Sequence, residues 1–162
     1  LNNLGLLLAS TGRQEEAEQL FRRALSITDK GDGANHPYFP SILNNLAEVL
    51  RERKSFAEAE VLMKRSLAID EATFGNDHPG LATSLNNLAL IFQATNRAAE
   101  AETLMRRAVD LLLKFTSKTG FQHPNLVPTY NNYSRLLAEI GDTEDQAMNR
   151  LRSILKPYGV DL

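Results

Sequence analysis

The chain has 162 residues, 43% of them hydrophobic and 23% charged, the balance of a water-soluble chain able to bury a sizeable core. With 18 basic against 20 acidic residues the formal net charge is −2, so bulk electrostatics give no reason to expect nucleic acid or an anionic membrane surface as partner. Cysteine is absent, which removes disulfides and thiolate metal sites, and the longest apolar runs, such as Leu111-Leu112-Leu113, are far shorter than the ~20 residues of a membrane span.

Taken in order, the chain spells the same two-helix unit several times. Leu1, Leu4, Gly5 and Leu8 follow the i, i+3, i+4, i+7 pattern of one buried helical stripe, and Leu43, Leu46, Ala47, Leu50 and then Leu85, Leu88, Ala89, Phe92 repeat it. This is helix A. A polar break follows each time, and Gly12, Lys54, Asn96 and Gly141 share one slot in it. Gly and Asn tolerate the left-handed conformation that ends a helix, so the slot reads as a C-cap, with Lys54 mildly strained there.

Helix B is expected from about Gln14, Phe56 and Ala98. Its stripe is Ala17, Leu20, Phe21, Ala24, Leu25, repeated as Ala59, Leu62, Met63, Ser66, Leu67 and as Ala101, Leu104, Met105, Ala108, Val109. The small residues at Ala17, Ala59, Ala101 and at Ala24, Ser66, Ala108 fit a close crossing of the two helices. Glu18, Glu60 and Glu102 each stand four residues ahead of a base (Arg22, Lys64, Arg106), the favourable order for a helical ion pair of ~0.3–0.5 kcal/mol. With these acids interleaved, the basic pairs Arg22-Arg23, Lys64-Arg65 and Arg106-Arg107 read as a solvated face rather than a nucleic-acid surface.

The connections carry His36-Pro37, His78-Pro79 and His123-Pro124. Pro suits the first helical position, where its missing N–H has no intrahelical partner, and the His is expected at or beside the N-cap. One His per repeat at one slot does not converge on a metal, so capping is favoured over ligation. Pro40 and Pro128 predict an irregular first turn for their helices. Thr116 to Gln122 has the composition of a loop and accounts for a longer third repeat. A last helix is expected over about Thr143 to Leu155, stopped by Lys156-Pro157-Tyr158-Gly159. It drops the small-residue pattern, as a terminal cap does.

The stretch that ties these units together is Leu43-Asn44-Asn45-Leu46. Leu1-Asn2-Asn3-Leu4 precedes it by 42 residues, Leu85-Asn86-Asn87-Leu88 follows by 42, and a worn copy, Tyr130-Asn131-Asn132-Tyr133, comes 45 residues later. A fixed period of this size marks a repeat array. The expected repeats run approximately 1–35, 36–77, 78–122 and 123–157, with a short tail 158–162. They form one domain that begins inside a repeat, hence a fragment of a longer array.

Asn-Leu-[Gly/Ala], the turn Gly, Ala17, Phe21 and Ala24 resemble the tetratricopeptide repeat, stretched from about 34 residues to 42. HEAT and armadillo repeats have a comparable length but not this spacing. Leu-Asn-Asn-Leu-Ala, Glu-Ala-Glu, Arg-Arg-Ala-Leu and Gly-x-x-His-Pro, as in Phe74-Gly75-Asn76-Asp77-His78-Pro79, look like the kinesin light chain type of this repeat. The resemblance implies an all-α solenoid of antiparallel helix pairs, a right-handed superhelix of about four repeats with the last degenerate. Helix A of each repeat would line a concave groove that receives a protein or peptide partner. Kinesin light chain grooves receive acidic, tryptophan-containing motifs. The wall expected here mixes Arg51 and Arg135 with Glu48 and Glu52, so that preference is not carried over.

On a helical wheel the groove-facing side chains are Asn2, Asn3, Asn44, Asn45, Glu48, Arg51, Asn86, Asn87, Leu90, Gln93, Asn131, Asn132 and Arg135. An Asn amide offers an acceptor and two donors, enough to bridge the N–H and C=O of one residue in an extended peptide. The same amide could instead fix repeat stacking, and one Asn of each pair is expected in each role. No nucleophile motif, phosphate loop or metal cluster is present, so neither catalysis nor a cofactor is expected. The leading reading is an interaction module of cytoplasmic setting. Self-association through exposed array ends is compatible with it. The alternatives are a regulatory sensor or oligomerisation arm of a larger signalling ATPase or protease, and a spacer whose groove binds nothing.

Overall fold

The computed structural model describes residues 1–31, 33 and 36–159, so the tail residues 160–162 lie outside the described residues. Among the described residues eight α-helices follow one another: α1 (Asn2–Ser10), α2 (Gln14–Lys30), α3 (Phe39–Glu52), α4 (Phe56–Phe74), α5 (Leu81–Ala94), α6 (Ala98–Thr119), α7 (Leu126–Glu139) and α8 (Glu144–Leu155). A 3-10 turn, Lys156–Tyr158, closes the series. Odd-numbered helices are the expected A helices and even-numbered ones the B helices. The chain divides into two compact units, Leu1–Gly75 with α1 to α4 and Asn76–Leu162 with α5 to α8.

All four A helices end by one device. Gly12, Lys54, Asn96 and Gly141 have φ of 79°, 63°, 59° and 86°. The next residue reaches back five positions, from Arg13 N to Leu8 O (2.9 Å), Ser55 N to Leu50 O (2.8 Å), Arg97 N to Phe92 O (2.8 Å) and Asp142 N to Leu137 O (3.2 Å). These bonds satisfy carbonyls that the helix leaves open, as in a Schellman ending. The sharp reversal they produce lays each B helix against its A helix.

Where the hairpins close, side-chain volumes are traded. Ala17, Ala59 and Ala101 are fully buried, as are Phe21, Met63 and Met105 one turn on. Facing them, slot five of helix A is Gly5, Ala47 or Ala89. A Cβ at Gly5 would lie 2.6 Å from the Phe21 ring, so the bulkier Phe21 requires the smaller Gly5, whereas Met63 and Met105 coexist with Ala47 and Ala89. Ser66, the one polar member of its small-residue slot, donates from Oγ to Pro40 O at 3.0 Å and so meets the hydrogen-bonding requirement of its burial.

Three expectations change. Pro37, Pro79 and Pro124 stand ahead of their helices rather than at the first helical position. Each His accepts at Nδ1 from the N–H two residues on, Tyr38 (3.2 Å), Gly80 (3.1 Å) or Asn125 (3.2 Å). The His carbonyl takes the N–H three residues on, and this turn pushes the helix start to Phe39, Leu81 or Leu126. Pro40 and Pro128 fall within the first helical turn, where no N–H is needed, and both helices begin without irregularity. The expected loop from Thr116 is helical to Thr119. Thr116 and Thr119 donate their hydroxyls to the carbonyls four residues back, at 2.9 Å each, and the helix ends at Gly120 with φ 73°.

Candidate functional site

Within each unit the two A helices are in contact, α1 with α3 and α5 with α7. The Asn pairs meet across that contact. Asn45 Nδ2 donates to Asn2 Oδ1 at 2.9 Å, and Asn132 Nδ2 donates to Asn86 Oδ1 at 3.0 Å. The second Asn of one repeat therefore bonds the first Asn of the repeat before it, in the same sense in both units. Asn2, Asn45, Asn86 and Asn132, one member of each pair, make these bonds.

A second cross-repeat bond reaches the last residue of α3 from the first residue of α2, and the last residue of α7 from α5. Gln14 Nε2 donates to the Glu52 carboxylate and Gln93 Nε2 to the Glu139 carboxylate. Glu52 and Glu139 occupy the same slot of their A helices. Sequence reasoning singled out neither Gln14 nor Glu139, because a bond between residues 38 and 46 apart leaves no trace in helical periodicity.

Between these two bonds lie the remaining candidate residues. In the first unit Arg51 pairs with Glu48 at 2.5 Å, both half-exposed, and Asn44 is half-buried beside them. In the second unit Arg135 donates to Asn132 Oδ1 at 3.3 Å and stands 3.9 Å from Glu139. Asn87 Oδ1 accepts from Asn86 Nδ2 at 3.3 Å, and Leu90 is half-buried. Asn3 and Asn131 are exposed and take no part in the cross-repeat bonds. Charge on this strip is mixed and largely self-compensated, so each unit presents hydrogen-bonding capacity rather than a field of one sign.

Ionisable groups with shifted equilibria lie away from this strip. Arg22 binds Glu58 in bidentate fashion at 2.6 and 2.8 Å, which holds the Glu58 carboxyl below its usual range. Of the expected helical pairs, Glu18–Arg22 (3.0 Å) and Glu60–Lys64 (2.6 Å) form. Glu102 turns away from Arg106 and accepts from the Tyr133 hydroxyl at 2.7 Å. Burial, then this bond, pushes the Tyr133 phenol above its ordinary range. Among the described residues no cluster of His, Asp and Glu could hold a metal ion. None of the described helices is long and apolar enough to cross a membrane.

Comparison with known proteins agrees with this geometry. Tetratricopeptide repeat models match residues 1–38 and 38–114. Among solved structures, BtubC (BKLC) from P. vanneervenii is similar over 99% of this chain at 20% identity and a TM-score of 0.81, and the chain spans 64% of its length. A kinesin light chain-like protein of nearly identical TPR-like repeats from Podosopora anserina is similar over 99% of this chain and 74% of its own, at 21% identity and a TM-score of 0.78. A point-substituted form of such a protein from the same organism is similar over 98% of this chain and 95% of its own, at 19% identity and a TM-score of 0.62. No curated protein sequence matches the chain. With the family models covering residues 1–114 and the helix pairs folded as in those arrays, the chain belongs to the tetratricopeptide repeat family, as an all-α repeat solenoid of the kinesin light chain type of fold.

Proposed function

We propose that the chain is a protein-interaction module that holds an extended segment of a partner along the A-helix face of its repeats. Repeats of this family generally mediate protein–protein interactions and are generally non-catalytic. The observation that carries the reading is the polar strip of each unit, across α1/α3 and across α5/α7, joined by an Asn–Asn hydrogen bond between the A helices and flanked by a Gln–Glu bond from α2 in the first unit and from α5 in the second, so that its side chains are pre-positioned. At ~0.5–1.5 kcal/mol net per hydrogen bond, several such contacts plus a few apolar ones reach the ~8 kcal/mol of a micromolar complex.

Site-specific photo-crosslinking tests the reading. A photoreactive residue at Asn131 or Arg135 on the A face is expected to capture partner, and one at Gln19 or Thr103 on the B face is not. Capture from the B face alone would refute the assignment. Alanine at the exposed Asn3 and Asn131 is expected to weaken capture at unchanged thermal stability. Alanine at Asn45 or Asn132, which removes a cross-repeat bond, is expected to cost about 0.5–1.5 kcal/mol of stability.

A further inference from the structure

Helices α6 and α8, the two B helices of the second unit, flank a cleft of about 500 Å³ with Arg106 on one wall and Ser153, Ile154 and Pro157 on the other. Glu102 and Asp110 also line it and, four residues to either side of Arg106, stack with it along one face of α6. Both acids are engaged. Glu102 accepts from the Tyr133 hydroxyl at 2.7 Å and Asp110 from the Tyr158 hydroxyl at 2.9 Å. Among the described residues Arg106 has no hydrogen bond or ion pair. Its counterpart two 42-residue periods earlier is Arg22, which holds the Glu58 carboxylate by two bonds of 2.6 and 2.8 Å. The slot is thus one that grips an oxyanion from the next B helix, and in the second unit α8 brings none to it.

Local charge has the matching sign. In a chain of net charge −2, residues 102–110 and 150–158 carry no acid besides Glu102 and Asp110. Arg150 answers Glu102 at 3.7 Å and Asp142 at 2.8 Å, which leaves Arg152 and Lys156 as further positive charge beside the cleft. Thr103 and Ser153 add exposed hydroxyls whose protons rest on carbonyls of their own helices, Ala99 O at 3.0 Å and Arg150 O at 2.6 Å. Such hydroxyls can turn to an incoming acceptor.

We propose that this cleft is a binding site for a small phosphate monoester. The Arg106 guanidinium forks two phosphoryl oxygens, the Thr103 and Ser153 hydroxyls meet the group from either wall, and the organic part lies against Ile154 and Pro157. Inorganic phosphate alone would leave most of the volume unfilled. The site lies on the B helices, so its occupancy is independent of partner capture along the A-helix face.

The probe is phenyl phosphate, titrated against inorganic phosphate and sulfate at constant ionic strength and followed by backbone amide resonances of the 162-residue chain. Phenyl phosphate is expected to cause saturable shifts at Thr103, Arg106 and Ser153, with affinity about threefold or more above that of inorganic phosphate. Arg106→Gln is expected to weaken it about tenfold or more. The melting temperature should not change, since the Arg106 side chain is exposed and unpaired. Arg22→Gln, which alters the equivalent slot of the first unit, is expected to leave the affinity unchanged. Absence of saturable shifts, binding that survives Arg106→Gln, or an equal loss in Arg22→Gln overturns the proposal. Inorganic phosphate or sulfate binding as tightly as the ester also overturns it, because the cleft is then an unselective anion site.

Discussion

The two units join their hairpins across the outer helices by different chemistry at the same slot. In the first unit Glu18 reaches Arg53 at 3.2 Å, flanked by Arg22–Glu58 and Arg65–Asp29 at 2.6 and 2.9 Å, mostly in solvent. In the second, the equivalent Glu102 accepts from Tyr133, whose ring fills the core slot that Leu46 occupies in α3. An acidic acceptor aimed at the next hairpin is thus common to both units, and what differs is that a buried phenol joins the second, where the surface Arg150 stands 3.7 Å from the same carboxylate. The exposed version is weak and salt-dependent, and the buried one couples polar satisfaction to packing.

The largest effect should come from removing the buried version. Tyr133→Ala is expected to destabilise the second unit by about 3–5 kcal/mol through the cavity it leaves, and Tyr133→Phe by about 1.5–3 kcal/mol through loss of a bond to a charged acceptor. Denaturant unfolding followed at both units would show the loss. Tyr133 and Tyr158, the latter pushed up to about 12 by burial and then by Asp110, both ionise later in the folded chain than in the unfolded one. Their contribution is therefore full below the ordinary tyrosine value of 10.0 and is lost as pH rises above it. Phenylalanine at both positions should flatten that alkaline decline.

Next in size is the packing trade of the first unit. Gly5→Ala is expected to cost about 1–3 kcal/mol despite the better helix propensity of Ala, and adding Phe21→Met should recover most of it. Strict additivity in that double-mutant cycle would show that the two slots do not share a volume. The smallest effect belongs to the exposed charges. Glu58→Gln should cost the first unit about 0.2–1 kcal/mol, less at high salt. Because the Glu58 carboxyl is held low in the folded chain, its contribution is present above the usual carboxylate range and is lost as pH falls through the folded value. A cost that persists unchanged in acid would contradict the pairing.

The architecture is legible in the sequence because its signals are local and periodic. A stripe at helical spacing, a turn slot taken by Gly or Asn, and small residues two B turns apart each report one backbone requirement, and the repeated copies average out the exceptions. Lys54 is recognisable at a left-handed position only because Gly12, Asn96 and Gly141 surround it when the repeats are aligned. The candidate site is legible only as a row. Residues 2, 45, 86 and 132 stand out as asparagines, but which amide bonds which depends on the offset between neighbouring A helices, set by packing and not by either helix alone. Glu102 misleads for the same reason. Its partner four residues on is visible in sequence, while Tyr133 becomes adjacent only once α6 and α7 are packed.

The Gly5–Phe21 and Ala47–Met63 trades also bear on how such an array can be rearranged by recombination. A crossover inside a hairpin that joined α3 to α2 would set an Ala Cβ against the Phe21 ring, and one that joined α1 to α4 would leave a gap beside Met63. A crossover in the His-Pro connections moves matched pairs intact. The Gly5–Phe21 and Ala47–Met63 pairs thus stay matched at breakpoints in the His-Pro connections rather than at the turns where the backbone is most sharply bent, whereas the Tyr133–Glu102 bond spans His123 and would be parted there.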